Sequence, residues 1–255
     1  TLAANDTTSG VSQMQFSSDG QTWSSAEPFT TSKTWTLTTG DGIRTVYVRY
    51  RDNAGNVAVY NDTITLDTTP PSSAISTLPS YYNAITFTVS WAGSDVGSGL
   101  ANYDIQFKDN STGVWQDWVN GTTLTSAVFS GTDGHTYYFQ SRARDTLGNV
   151  ELYPGGNGDT YTTIDITAPT GNIQIENGAD YVSILSVALT LSAVDATSGV
   201  SQMQFSNTGT GFSSWEPFVS TTIWTLASGD GIKTVYVRYR DAAGNISAVY
   251  TDTIV

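Results

Sequence analysis

Along Thr45-Val46-Tyr47-Val48-Arg49-Tyr50-Arg51 the side chains alternate in character residue by residue, and the run breaks at Asp52-Asn53-Ala54-Gly55-Asn56. A period of two puts successive side chains on opposite faces of a strand, and Asp-x-x-Gly-Asn is turn chemistry. The pattern returns almost unchanged over 234–245 and more loosely over 138–149. Asp52, Asp145 and Asp241 therefore recur at intervals of 93 and 96 residues, the size of one small β-sandwich. No run carries apolar residues at helical spacing. The expectation is an all-β chain of three tandem antiparallel sandwiches, spanning 1–67, 68–167 and 168–255.

The same alternation places the other strands. In the first repeat, 2–5 reads as strand B and 11–17 as strand C, with Ser12, Met14 and Phe16 sharing a face. A strand is expected around 34–37, a tight turn at Gly40-Asp41-Gly42, and a last strand over 57–66. The second repeat opens on Thr69-Pro70-Pro71-Ser72-Ser73, a linker stiffened by two fixed φ angles. It then gives strand B over 85–91, strand C over 103–108, a turn at Asp133-Gly134, and an extra loop over 153–158. The third repeat follows Thr167-Ala168-Pro169 with all its parts. Thr1-Leu2 aligns with Thr190-Leu191, so the residues that supply strand A and the start of strand B in the third repeat have no counterpart in the first. Residues 253–255 match 63–65 but stop before the linker that follows Leu66. This reads as a window on a longer array. A sandwich without strand A also exposes a sheet edge that invites pairing with another chain, so strand donation between subunits is an alternative to truncation.

Residues 136–145 with Gly148-Asn149 resemble strand F of fibronectin type III domains. The linker Asp67-Thr68-Thr69-Pro70-Pro71, with Asp-x-x-Ser-Gly and Arg-Asp-x-x-Gly-Asn, is similar to the tandem Ig-like repeats of bacterial and archaeal surface proteins. The resemblance implies Ig-like or fibronectin type III-like sandwiches arranged as a rod, and speaks more to fold than to function. Repeats one and three carry Arg44 and Lys233 where the middle repeat has Tyr137, the residue whose hydroxyl would close a tyrosine corner.

Composition narrows the partners. A net charge of −13 and a pI near 4.1 repel nucleic acid and anionic lipid. Such a surface suits divalent cations, and equally serves solubility alone. No cysteine is present, so redox compartment cannot be read. No segment has the pattern of direct membrane insertion.

The sharpest candidate chemistry lies in the Asp turns. In an Ig-like sandwich the B–C and F–G loops share one end. Asp6 is thus expected near Asp52, Asp95 near Asp145, and Asp195 near Asp241, with linker residues Asp67 and Asp165 approaching the second and third pairs. Two or three carboxylates with loop carbonyls would suit Ca²⁺, which prefers six to eight oxygens. Asx-type capping of the turns explains the same aspartates without a metal. Trp115 and Trp118 of the middle hairpin offer flat rings for a sugar, although Trp also fills sandwich cores. His135 is the only histidine, and no nucleophile elbow, zinc pattern, phosphate loop or carboxylate pair is visible. No enzyme is expected. Asn5, Asn61, Asn110, Asn120 and Asn245 stand in glycosylation sequons. The reading is a non-catalytic structural region of an extracellular or cell-surface protein: a stalk, surface-layer or filament component joined to other subunits or repeats. The alternatives are an adhesin or carbohydrate-binding module that binds glycans, and accessory domains of a secreted enzyme.

Overall fold

A computed structural model describes residues 1–255, and every regular element in it is a strand. The first repeat forms β1 (Val11–Ser17), β2 (Glu27–Pro28), β3 (Gly42–Asp52) and β4 (Val57–Leu66), one sheet of order β2-β1-β3-β4. The second has β5 (Ser72–Ile75), β6 (Tyr81–Tyr82), β7 (Thr86–Ser94), β8 (Leu100–Asp109), β9 (Gln116–Thr122), β10 (Ser126–Ser130), β11 (Thr136–Asp145) and β12 (Thr160–Ile164). These make sheets of order β10-β7-β5 and β6-β12-β11-β8-β9. The third has β13 (Thr170–Ile175), β14 (Ser186–Val194), β15 (Val200–Ser206), β16 (Glu216–Pro217), β17 (Thr221–Thr225), β18 (Lys233–Asp241) and β19 (Tyr250–Ile254), in sheets β13-β14-β17 and β16-β15-β18-β19. An A-B-E sheet facing a C′-C-F-G sheet is the Ig-like and fibronectin type III-like sandwich.

No sheet crosses from one repeat into another, but packing divides the chain differently from repeat length. One compact unit comprises Thr1–Ser73, Gly93–Tyr103 and Arg142–Leu152, and the second comprises the rest. Two loops of the second repeat therefore belong with the first repeat and its linker.

The first repeat departs from expectation. Residues 2–5 and 34–37 are not strands, because the partners that would make them strands are absent. In the third repeat β17 pairs with Ser186–Thr190 of β14, and β13 pairs with Leu189–Val194. Of that region only the part from Thr190 onwards aligns with first-repeat residues of this sequence. Leu2 N still donates to Thr31 O at 2.9 Å, as Leu191 N does to Ser220 O at 2.8 Å, but one isolated bond makes no ladder. The cores differ accordingly. Met14, Phe16, Val48 and Tyr50 are the buried core of the first repeat, whereas twelve residues from Ile173 to Ile254 form that of the third.

The turn before strand F shows one solution reached twice. The Tyr137 hydroxyl accepts from Thr132 N at 3.0 Å. Where Tyr137 is replaced, Arg44 Nη2 donates to the carbonyls of Thr39, Gly40 and Asp41, and Lys233 Nζ to Ser228 O at 3.3 Å. A cationic side chain folded back on the turn thus substitutes for the phenol.

Candidate functional site at the linkers

Each Asp turn begins as local capping. Asp6 Oδ1 accepts from the amides of Thr8, Ser9 and Gly10 at 2.7–3.1 Å. Asp95 Oδ2 accepts from Gly97 and Gly99, and Asp195 Oδ1 from Thr197, Ser198 and Gly199. In the second turn of each repeat one Asp oxygen takes amides and the other takes an Asn side chain. Asn56 Nδ2 reaches Asp52 at 2.7 Å, Asn149 reaches Asp145 at 2.6 Å, and Asn245 reaches Asp241 at 2.8 Å. The final Asn of Asp-x-x-Gly-Asn thus locks its own turn.

At two of the three sites a linker enters this frame. Asp67 is 5% exposed and Asp165 is fully buried. One carboxylate oxygen of each caps the linker, at Thr69 N (3.2 Å) and Thr167 N (3.1 Å). The other accepts from Ser98 N at 2.6 Å and Ser198 N at 3.1 Å, in the B–C loop of the following repeat. Asn149 Nδ2 donates to Asp67 O and Asn245 Nδ2 to Asp165 O, at 3.2 and 2.8 Å. Each linker is also gripped by the repeat it leaves. Asp41 accepts from Thr68 N at 2.9 Å and from the Thr69 hydroxyl, and Asp133 from Ile166 N and the Thr167 hydroxyl at 2.9 and 2.7 Å. These hydroxyls and amides hold the carboxyls of Asp41 and Asp133 below the ordinary range. Sequence reading treated Asp41 and Asp133 as turn residues only. The signal available was an Asp-Gly turn in every repeat facing Thr residues in each linker.

The expected pairs become two triads. Carboxylate oxygens of Asp67, Asp95 and Asp145 lie within 4.8 Å of one another, and so do those of Asp165, Asp195 and Asp241. Asp6 and Asp52 stand close enough to interact but have no third carboxylate. Burial, with Asp195 and Asp241 beside it, raises the Asp165 carboxyl, although Ser198 and Thr167 bonds work against this. Burial pushes Asp145 up too, but bonds from Asn149 and Gly148 outweigh it and the net direction is down. Neither the Lys33–Glu27 pair nor the His135–Asp109 pair involves a carboxylate of the triads. Arg240 turns away, donating to Gln202 and lying 4.6 Å over the Trp215 ring. Three carboxylates supply part of the six to eight oxygens that Ca²⁺ prefers.

The remaining candidates lie elsewhere. Trp118 packs edge-on against Trp91 and Phe129 and tilted against Phe139 in the middle core, so its ring is used in packing. Trp115 is covered by Lys108 at 4.8 Å, and Trp23 by Arg49 at 4.5 Å. The hairpin tryptophans other than Trp118 are thus cation-stacked on the outer face of the sheet, neither core nor bare platform. His135 Nδ1 pairs with Asp109 at 2.7 Å. Asn5, Asn61, Asn110 and Asn120 are exposed. Asn245 is half-buried and its Nδ2 makes the joint bonds above, with which a glycan there would compete.

No protein-family model matches the chain. It is 34% identical over 238 residues to exoglucanase B of Cellulomonas fimi, covering 86% of this chain and 20% of that protein. It is 30% identical over 189 residues to chitinase A1 of Niallia circulans, covering 72% of this chain and 25% of that protein. The chain thus spans a quarter or less of the curated relatives it matches. Among solved structures, the fibronectin(III)-like modules of Clostridium thermocellum CbhA are similar at 14% identity and TM-score 0.42, over 72% of this chain and 93% of that one.

Proposed function

We propose that this chain is a non-catalytic spacer of an extracellular protein, an accessory region that carries other domains rather than reacting itself. The observation that carries the reading is the repeated joint. At both linkers an aspartate is buried and bonded to the same two loops of the following repeat. Burying a charged linker residue costs free energy unless its bonds are satisfied, and here the same bonds are built twice. Similarity to part of an exoglucanase and of a chitinase favours a place beside domains that degrade polysaccharides. The partners on this reading are the neighbouring domains of the same polypeptide. Small-angle X-ray scattering tests it: a narrow distribution of lengths is expected, broadened by Asn149→Ala with Asn245→Ala. A wild-type chain already as broad as that variant would overturn the spacer reading.

The two triads take Ca²⁺ in this reading, which offsets most of their charge and fixes the linker more firmly. Binding to the native state alone raises melting temperature by mass action. Melting in millimolar calcium and then in chelator should show a clear fall, reproduced by Asp241→Asn. Unchanged melting would leave the aspartates as turn caps, with the linkers held by hydrogen bonds and proline.

A further inference from the structure

Lys108 is the one buried cationic side chain, at 4% exposure. Its Nζ lies 4.8 Å from the centre of the Trp115 ring and 5.3 Å from that of Tyr138. It donates to Ser111 O at 2.9 Å, to Gly156 O at 3.3 Å and to Asn157 Oδ1 at 3.0 Å. All three acceptors are neutral. A buried ammonium costs free energy unless it is both hydrogen-bonded and paired with an anion. These acceptors meet the first need and not the second. Gly156 and Asn157 belong to the loop 153–158, which the other two repeats lack.

Asn157 is followed by Gly158. In Asn-Gly the next backbone nitrogen reaches the side-chain amide carbon most readily, because glycine adds no Cβ and the most backbone freedom. The chain has two other such pairs, Asn120-Gly121 and Asn177-Gly178. Their glycine nitrogens are firmly engaged: Gly121 N donates to Asp104 Oδ1 and Gly178 N to Ile175 O, both at 2.8 Å. Gly158 N donates to Gly155 O at 3.4 Å, a much weaker hold. Asn157 is exposed, so water reaches it. Packing explains the glycine, whose φ is +75° and whose Cβ would fall 2.5 Å from Phe139 O. It does not explain an amide where a buried lysine calls for a carboxylate.

We propose that Asn157 is a self-modification site, converted to aspartate in the folded chain with Lys108 stabilising the oxyanion. A solvent base takes the proton of Gly158 N, and that nitrogen bonds Cγ of Asn157. Charge develops on Oδ1, the atom that Lys108 Nζ already holds. Collapse breaks the Cγ–Nδ2 bond, and Nδ2 leaves as ammonia with a proton from water, forming a five-membered imide. Water then opens the imide at Cγ, which restores the backbone and leaves a carboxylate. One water is consumed, one ammonia is released, and nothing is oxidised or reduced. Opening at the main-chain carbonyl would lengthen the backbone, against the Asp159 N bond to Phe139 O at 2.8 Å. The product gives the buried ammonium an anion. Charge-assisted bonds are about twice as strong as neutral ones, so the reaction locks the loop onto the sheet after folding.

The test incubates the whole chain at neutral pH and follows the three Asn-Gly pairs separately by peptide mapping and mass spectrometry. Removing one preorganised oxyanion donor costs about a hundredfold in an enclosed enzyme site, so about tenfold is expected at this open loop. In the folded chain Asn157 should therefore convert about tenfold faster than Asn120 or Asn177. In urea, where Lys108 is no longer held beside it, the three rates should agree within about twofold. Lys108→Met should erase the lead of Asn157 while Asn120 keeps its rate. If methionine opens the repeat, Asn120 accelerates too, and the folded chain against the chain in urea decides alone. Asn157→Asp should protect the amides of 153–158 from exchange better than the parent does. Equal rates at the three asparagines in the folded chain overturn the proposal, as does a lead that survives Lys108→Met or a product that is mainly isoaspartate. A permanent loss of ammonia with residues 108 and 157 cross-linked overturns it in favour of a direct amide bond between the two side chains.

Discussion

The first and third repeats are a controlled comparison that the chain itself supplies. Their C and F strands are nearly identical, and β1 and β15 show the same bulge after their first residue against β3 and β18. Yet Val235, Val237 and Tyr239 are fully buried, while Val48 and Tyr50 retain some exposure and Val46 is only partly buried. Burial is therefore not a property of strand F. It is conferred by the sheet packed on the other side, which the third repeat builds from β13, β14 and β17. The last strand responds in the same way. In the first repeat β4 runs unbroken against β3 for ten residues, with Val57, Val59, Tyr60 and Ile64 all more than half exposed. In the third, one additional residue near Ser247 interrupts the hairpin, and Ser247 bonds Tyr239 through both its amide (2.9 Å) and its hydroxyl (2.9 Å). Glu151 bonds Ala143 in the same two ways in the second repeat. A broken strand G accompanies a present strand A in both cases.

The largest expected effect breaks the comparison at one aligned position. Leu191→Ala should destabilise the third repeat by about 3 kcal/mol, the range for a buried Leu with a residual cavity. Leu2→Ala should cost the first repeat less than about 1 kcal/mol, because little surrounds it. Hydrogen exchange resolved by repeat distinguishes the two, since a multidomain chain has no single unfolding free energy. Equal costs would mean that the second sheet contributes nothing to burial at this position.

A smaller difference is expected at the turns. Asn245→Ala and Asn149→Ala each remove a bond within the turn and one to a linker carbonyl, whereas Asn56→Ala removes only the former. Each bond is worth about 1 kcal/mol, so the first two substitutions should destabilise by about twice the third in exchange resolved by repeat. Below that comes Tyr239→Phe, which loses the bond to Asn172 O and about 1 kcal/mol. Tyr50→Phe should be close to neutral by the same measurement.

How much of this was legible follows from where each structure is encoded. β1 and β4 were readable to the residue because alternation is written into the strand itself. Residues 34–37 alternate just as well as their counterparts in β17, yet form no strand, because ladder bonds require a partner that lies elsewhere in sequence. The convergence of Asp95 with Asp145, and of Asp195 with Asp241, followed from the loops that a sandwich brings to one end. That Asp41 and Asp133 also grip the linkers did not follow, since the turn explains an Asp-Gly pair on its own. The cations stacked over Trp23 and Trp115 did not follow either, for a related reason. Arg49 and Lys108 sit on the outward face of a neighbouring strand, and inter-strand register is invisible in a single strand's pattern.

Acid provides the finest test, because it acts with opposite sign at the two kinds of carboxyl. Backbone amides of Ser9, Thr8 and Gly10 lower the Asp6 carboxyl, and the Asn56 side chain lowers Asp52. A depressed folded-state value contributes stability that is present above the unfolded carboxylate range and lost as pH falls through the folded value. Asp165 is raised, chiefly by burial. Its contribution is present in full below the unfolded value and is lost as pH rises through the folded one. Between pH 6 and 3, without divalent ions, exchange protection around Asp6 and Asp52 should therefore fall, while the amides of Thr167 and Ser198 resist acidification longer. Saturating calcium should reverse the second trend, because a bound ion holds Asp165 ionised and proton binding must then compete with the metal. If Ser198 loses protection in step with Ser9 under both conditions, Asp165 behaves as an ordinary turn cap and the buried joint is electrostatically no different from the exposed turn.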